Sequence, residues 1–425
     1  MKTLFKGARV VDPASGRDEI ADVLVVDETI EAAGNGGVKG AEVVDAGGLV
    51  LAPGFVDLHA HLREPGREDA ETIETGSRAA AAGGYTAVCA MPNTDPVADN
   101  AAVIMEVRNL ADKAGLVDVL PAGAITKRIE GEELAEIGEM AELGVRLFTD
   151  DHNCVQSAHL MRMALEYAKA FDVVLSQHAQ EASLSEGWQM HEGYYSSLLG
   201  LRGTPGEAES IIVARDLQLA ALTGGRIHFT HLSAARSVEL IESARDGVRV
   251  SADVTPHHLT FTDEDLQSYD TNLRFNPPPR SLDDRSGLHA GVQRGVIDAI
   301  ATDHAPHAVE DKEVEFDQAR PGTIGLETAL AAALTALEID LSVLIAAMST
   351  NPARILGLAD HGGPIEPGRP ANLVLFDPAA AWTVGDRPFA SRSRNSAFLG
   401  RALTGRVVHT MLRGRFTVRD GEGVW

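Results

Sequence analysis

Apolar positions along the chain fall in short runs bounded by Gly, Pro and Asp, and the style of the runs changes twice. Over residues 1–50 the segments KTLFKGARVVD, ADVLVVD and AEVVDAGG mix apolar and polar positions and are cut by turn residues, the pattern of short strands. The same style returns at the other end in ANLVLFDP and TGRVVHTMLRGRFTVRDG, entered through the Pro/Gly-rich IEPGRPANL. Between the two ends, strand-like runs appear at LVLAPGFVDLHAH, YTAVCAMP, VDVLPAGA, VRLFTDD, DVVLSQH, RIHFTH, VRVSADVTP and VIDAIATDH. Helical stretches such as DAETIETGSRAAAAGG, AAVIMEVRNLADKAG and SAHLMRMALEYAKAF separate them. Eight strands alternating with helices over about 250 residues match a (β/α)8 TIM-type barrel. The expected α/β architecture is that barrel over residues 51–362, with 1–50 and 363–425 packing together into one small sheet domain. A doubly wound open sheet competes, but no Gly-rich dinucleotide fingerprint follows the first strand.

In a barrel of this kind the chemistry gathers at the C-terminal strand ends. There the sequence places His59 and His61 (first strand), Asp150 and Asp151 (fourth), His178 (fifth), His231 (sixth) and Asp303 (eighth). Side chains at i and i+2 of a strand share a face, so His59 and His61 point the same way. Taken singly, a histidine after a strand is more often a hydrogen-bonded surface residue, and an aspartate there a turn former or helix cap. Five strand ends supplying imidazoles and carboxylates together favour a metal site over coincidence. The set exceeds what one zinc requires and suits two ions with a shared ligand.

Other candidates are weaker. His228 sits on the opposite strand face from His231 and reads as packing. His257 and His258 follow the seventh strand without an evident place in the ligand set, and His152, His159 and His191 read as loop or helix-surface residues. Cys89 lies in an apolar strand with nothing to activate it, and Cys154 reads as loop packing.

Composition narrows the function. With Lys+Arg 37 against Asp+Glu 62 the net charge is −25, which disfavours nucleic acid and anionic membranes as partners. A small anionic substrate would need local positive charge, and Arg63, two residues beyond His61, offers a carboxylate-binding fork. Two cysteines make no disulfide framework, so a reducing cytoplasm is the expected setting. No apolar run approaches spanning length.

The segments GFVDLHAHLREPG, AMPNTDP, LFTDD and ATDHAPH together resemble the cyclic amidohydrolases, and within them the long bacterial class of dihydroorotases. The resemblance extends over nearly the whole chain, to SRSRNSAFLGRALTGRVVHTMLRG. It implies a (β/α)8 barrel with a small β-sandwich formed by both chain ends, residues 1–50 and 363–425, in agreement with the barrel and sheet domain read from the pattern, and two zinc ions per chain. By resemblance, His59, His61 and Asp303 would bind the first ion, His178 and His231 the second, and Asp151 would bridge them. Asp151 stands where many relatives place a carboxylated lysine, which argues against the hydantoinase branch. The implied substrates are N-carbamoyl-aspartate and dihydroorotate, in pyrimidine biosynthesis. Their carboxylate would meet Arg63, Asn93 and His307, and Asn276 would contact the ring amide. By the same resemblance His61 would lie beside the substrate, and Pro321 and Gly322 would contribute backbone contacts. Asp303 would act as the catalytic base.

Two positions depart from the family pattern: His152 replaces a usual glycine, and Pro321 a usual phenylalanine. The remaining alternatives are a related cyclic amidase (allantoinase or dihydropyrimidinase) and an inactive scaffold of the same fold. The resemblance also allows a homodimer and association with aspartate carbamoyltransferase.

Overall fold

The computed structural model describes residues 2–32 and 39–425. Its middle is a ring of parallel strands: Phe55–Ala60, Tyr85–Ala90, Asp118–Pro121, Leu147–Thr149, Val174–Gln177, Arg226–Phe229, Val250–Val254 and Ala299–Ile300. The first three pair in sequence order, as do the last five. Two bridges close the ring. Gly123 with Phe148 joins the third strand to the fourth, and Ala60 with His304 joins the first to the eighth. The expected barrel is therefore present, and its seam between first and eighth strands lies beside the His59–His61 pair.

The helices between these strands begin at polar caps. Thr72 accepts from the Thr75 N–H ahead of Ile73–Ala82, Asn100 from Ala102 and Val103 ahead of Ala101–Ala114, and Ser157 from Leu160 ahead of Ala158–Ala168. Helix Ala101–Ala114 buries Val103, Ile104, Val107 and Ala111, a single face at helical period. Burying each Val or Ile side chain stabilises the fold by roughly 1.5–3 kcal/mol. No helix among the described residues is long and apolar enough to cross a membrane.

Both chain ends meet in one nine-stranded sheet. Lys2–Asp12 pairs antiparallel with Arg17–Val26, and Leu373–Thr383 antiparallel with Ala402–Leu412. Val50–Pro53 joins these two halves, parallel to Lys2–Asp12 and antiparallel to Leu373–Thr383. The halves share a core containing Phe5, Val23, Leu51, Leu373 and Met411.

The run LVLAPGFVDLHAH, expected as one strand, is thus two, the first in this sheet and the second in the barrel. Gly54 is the joint. Its N–H donates to the Asn372 carbonyl at 2.9 Å, and a Cβ here would lie 2.3 Å from Thr86 Cγ2. A side chain at this crossing would collide with the second barrel strand. The long connections after the seventh and eighth strands also differ from the expected loops, because they carry short helices. Pro256–Thr260 starts at the Thr255 cap with proline at its first position, and Val309–Lys312 lies within the connection after the eighth strand.

Candidate metal centre and substrate cleft

His59, His61, Asp151, His178, His231 and Asp303 come from five strand ends, and the barrel brings all six together, buried. They form two overlapping triads that could each hold a metal ion, His59–His61–Asp151 and Asp151–His178–His231. The Oδ2 atom of Asp151 lies 3.2 Å from His59 Nε2 and 3.5 Å from His61 Nε2. Its other oxygen, Oδ1, lies 3.5 Å from His178 Nδ1 and 3.3 Å from His231 Nε2. Asp303 Oδ1 extends the first triad, at 3.3 Å from His61 Nε2 and 3.5 Å from His59 Nε2. Two donors on one tetrahedral cation with bonds of about 2.0–2.1 Å stand about 3.3–3.4 Å apart. The spacings here fit that figure. The donor set, neutral imidazole with carboxylate, suits zinc and similar ions.

Hydrogen bonds fix which ring nitrogen faces the centre. His59 Nδ1–H donates to Thr230 Oγ at 2.8 Å, and the Thr230 hydroxyl donates onward to Asp253 Oδ2 at 3.2 Å. His61 Nδ1–H donates to Asn93 Oδ1 at 2.9 Å, and His178 Nε2–H to Gln180 Oε1 at 2.7 Å. In each ring the remaining nitrogen is left as a lone-pair donor toward the centre. Asp253 serves both triads, because its Oδ1 also accepts the backbone N–H of His231 at 2.6 Å. Two further buried aspartates act similarly. Asp57 accepts from Thr302 N–H, next to Asp303, and Asp150 accepts from the Ile125 and Thr126 N–H groups, next to Asp151. Arg63, His231 and Asp303 hold left-handed backbone, with φ of 61°, 39° and 44°. That conformation costs a residue with a β-carbon about 1–2 kcal/mol, a strain met most often at functional sites.

Burial alone would raise the Asp151 and Asp303 carboxyls. The surrounding imidazoles outweigh it: His59, His178 and His231 hold Asp151 well below the usual range, and His61, His59 and His231 hold Asp303 below it. Burial would lower His59, yet with no cation beside it Asp151 and Asp303 push it up to about 10, so a cation would have to displace a proton from its Nε2 before that lone pair is offered; burial and Arg63 push His61 down to about 4. Two carboxylates stay ionised among buried rings, and such a cluster attracts cations.

Beside the centre opens a cleft of about 140 Å³ that takes in His61, Asp303, Arg63, Asn93, Asn276 and His307. Arg63 Nε–H donates to the Pro306 carbonyl at 3.1 Å, the guanidinium's only hydrogen bond among the described residues, which leaves the terminal nitrogens free. Asn276 Oδ1 is buried without a partner among the described residues. His307 Nε2–H donates to the Pro321 carbonyl at 2.9 Å. The Gly322 N–H is taken by the Arg274 carbonyl at 2.8 Å. Pro321 and Gly322 therefore line the cleft with backbone groups already used inside the protein.

A family profile described as "Dihydro-orotase-like" matches residues 48–237. Over 99% of both chains the sequence is 50% identical to a dihydroorotase of Streptomyces coelicolor, and over 99% of both it is 48% identical to one of Mycobacterium tuberculosis. The chain belongs to the dihydroorotase family. Among solved structures, an L-hydantoinase (dihydropyrimidinase) from Arthrobacter aurescens superposes with a TM-score of 0.88 at 27% identity, covering 100% of this chain and 97% of that one. This dihydroorotase-family chain thus shares the amidohydrolase barrel with its sheet-rich second domain, and the family is metal-dependent.

Several residues escaped the sequence reading. His152 is an exposed loop residue, as expected, yet it lines the cleft and accepts from Asn93 Nδ2 at 3.2 Å. His228 is not among the candidate ligands, but its role is polar as well as packing: Nε2–H donates to Asp253 Oδ2 at 2.8 Å, the oxygen that also accepts from Thr230. His258 Nε2–H donates to the Pro277 carbonyl at 2.9 Å and so holds the loop that carries Asn276. Arg67 and Arg320 reach the cleft as well, both paired to Asp311. Burial pushes the Cys89 thiol well above its ordinary range and the Cys154 thiol up to about 12, so neither is activated as a nucleophile, as expected. His152 is marked in sequence only as a departure from the family's glycine, and only proximity to His231 in RIHFTH could have marked Thr230 in advance.

Proposed function

We propose that this chain interconverts N-carbamoyl-L-aspartate and (S)-dihydroorotate, with two zinc ions held by His59, His61, Asp151, His178, His231 and Asp303. The observation that carries the proposal is one carboxylate, Asp151, placed with an oxygen toward each histidine pair, beside a guanidinium with free donors. When bound, the ions would supply an acidified water and a Lewis acid for the amide carbonyl.

The protein's own groups do the rest. Arg63 would bind the substrate carboxylate through its terminal nitrogens, and Asn93 and His307 would complete that pocket. The unpaired Asn276 Oδ1 would accept a ring N–H, which removes its unmet hydrogen-bond demand. Asp303, kept ionised by its histidine neighbours, would take a proton from the attacking water at a carboxylate oxygen. It would deliver that proton to the ring nitrogen as the C–N bond breaks. In the ring-closing direction the same oxygen would remove the proton from the carbamoyl nitrogen as water leaves.

A related cyclic amidase, such as a dihydropyrimidinase, would act on rings without a carboxylate, and Arg63 would then face nothing. An inactive scaffold would not need six ligands with correctly spaced donors. The proposal extends to a cytoplasmic setting, a homodimer, and association with aspartate carbamoyltransferase, the last two testable by co-elution. The direct test is Asp303→Asn. It should keep most of the metal while kcat falls about 100- to 10,000-fold, and a near-normal rate would refute the assigned role.

A further inference from the structure

The segment Ser391–Asn395 returns from the outer sheet across the barrel mouth, and its burial alternates: Ser391, Ser393 and Asn395 are buried, Arg392 and Arg394 exposed. Period two is the alternation of an extended segment, but here the buried face is polar rather than apolar. Buried polar groups need partners, and these find them on the loops of the cleft. Ser391 Oγ bonds to Glu71, and Ser393 Oγ lies 2.7 Å from the Ala70 carbonyl oxygen and 2.9 Å from that of His307.

Asn395 makes the densest set. Its Nδ2 donates to the carbonyls of Ala305 at 3.0 Å and Gly322 at 3.2 Å, and its Oδ1 accepts the His307 N–H at 3.1 Å. One amide thereby ties the outgoing loop, residues 305–307, to the returning loop at Gly322. Arg63 rests on the same outgoing loop, through the Pro306 carbonyl. The loops stand so close that a Cβ on Gly322, at φ 137°, would lie 2.7 Å from Ala305 Cβ and 2.9 Å from His307 Nε2.

We propose that Asn395 is a positioning residue for the carboxylate pocket, which makes the segment from the outer sheet part of the substrate-binding apparatus. The inference rests on the reading of Arg63 and His307 as carboxylate-binding groups. Asn395 touches none of the six candidate metal ligands, so its effect belongs on substrate binding and not on metal or turnover.

The test compares Asn395→Asp, Ser393→Ala and Arg63→Ala in the full-length, metal-loaded protein. The aspartate keeps the acceptor for His307 N–H but turns an oxygen toward two carbonyls. It should raise KM for dihydroorotate by about tenfold or more, the effect of losing two buried hydrogen bonds. Its kcat and metal content should stay near those of the parent. Ser393→Ala should shift KM in the same direction by a smaller factor.

An unchanged KM in both Asn395→Asp and Ser393→Ala beside a raised KM in Arg63→Ala would overturn the role of Asn395 and leave the pocket reading intact. An unchanged KM in Arg63→Ala would instead sink the pocket reading itself. Parallel loss of kcat, metal and thermal stability in Asn395→Asp would assign the residue to stability alone and also overturn the proposal.

Discussion

The two halves of the site are built on opposite terms. On the cation side, His59, His61 and His178 each have one ring nitrogen bound to a fixed acceptor, and Asp253, Asp57 and Asp150 staple the backbone next to the ligands. On the anion side, among the described residues, the Arg63 guanidinium makes a single hydrogen bond through Nε, and Asn276 Oδ1 makes none. The first half is organised before anything binds. The second keeps open valences that a ligand must fill. An unmet buried acceptor costs about 1–3 kcal/mol, so the open half gains most from its ligand. The difference teaches where to look for each kind of defect: metal affinity should respond to residues behind the ligands, and substrate affinity to residues in the cleft.

The largest expected effect tests whether the cation half is one unit. Asp151→Asn removes the carboxylate common to both triads, so metal per chain should fall from two to one or fewer and activity by about a thousandfold or more. Full metal retention would break the comparison. Next, Arg63→Ala should raise KM about 100-fold, the loss of a charge-assisted bond, while metal content stays constant. Lost metal in this variant would mean the halves are not separable.

A smaller effect sharpens the first half. Asp253→Asn disturbs both Thr230 and the His231 backbone, and metal affinity should weaken about 10- to 100-fold, measured by competition with a chelator. A change confined to KM would place Asp253 in the wrong half. The smallest effect lies outside both. Burial pushes Glu327, whose carboxylate accepts the Ala390 and Ser391 N–H groups, up to about 7 from an ordinary value of 4.5. The folded chain then binds this proton more tightly than the unfolded one, so its stabilising contribution is whole below about pH 4.5 and is lost as pH rises through 7. Glu327→Gln should flatten that fall, by about a few degrees in Tm between pH 5 and 8. An unchanged slope would contradict it.

The cation half was more legible in sequence than the anion half, and the reason is geometric. His59 and His61 announce themselves through period-two spacing, and His178, His231 and Asp303 through their position where an apolar run ends. Asp253 carries no such mark, since a polar residue inside VSADV reads as an ordinary strand position. Asn395 is further from view, 92 residues beyond Asp303 and in a segment that pattern assigns to the outer sheet. The alternation of strands and helices made the barrel readable, whereas the continuous apolar run through Pro53 and Gly54 hid the passage from one sheet to the other. The helices Pro256–Thr260 and Val309–Lys312 were read as loop because each is too short to show a period.

The central claim is that Asp151 offers one oxygen to each of two cations. Anomalous diffraction at the zinc edge from crystals of the zinc-loaded protein tests it most directly. The account predicts two peaks, one between the His59–His61 pair and Asp151 Oδ2, the other between His178, His231 and Asp151 Oδ1. A single peak, or a second one bound away from Asp151, would contradict it.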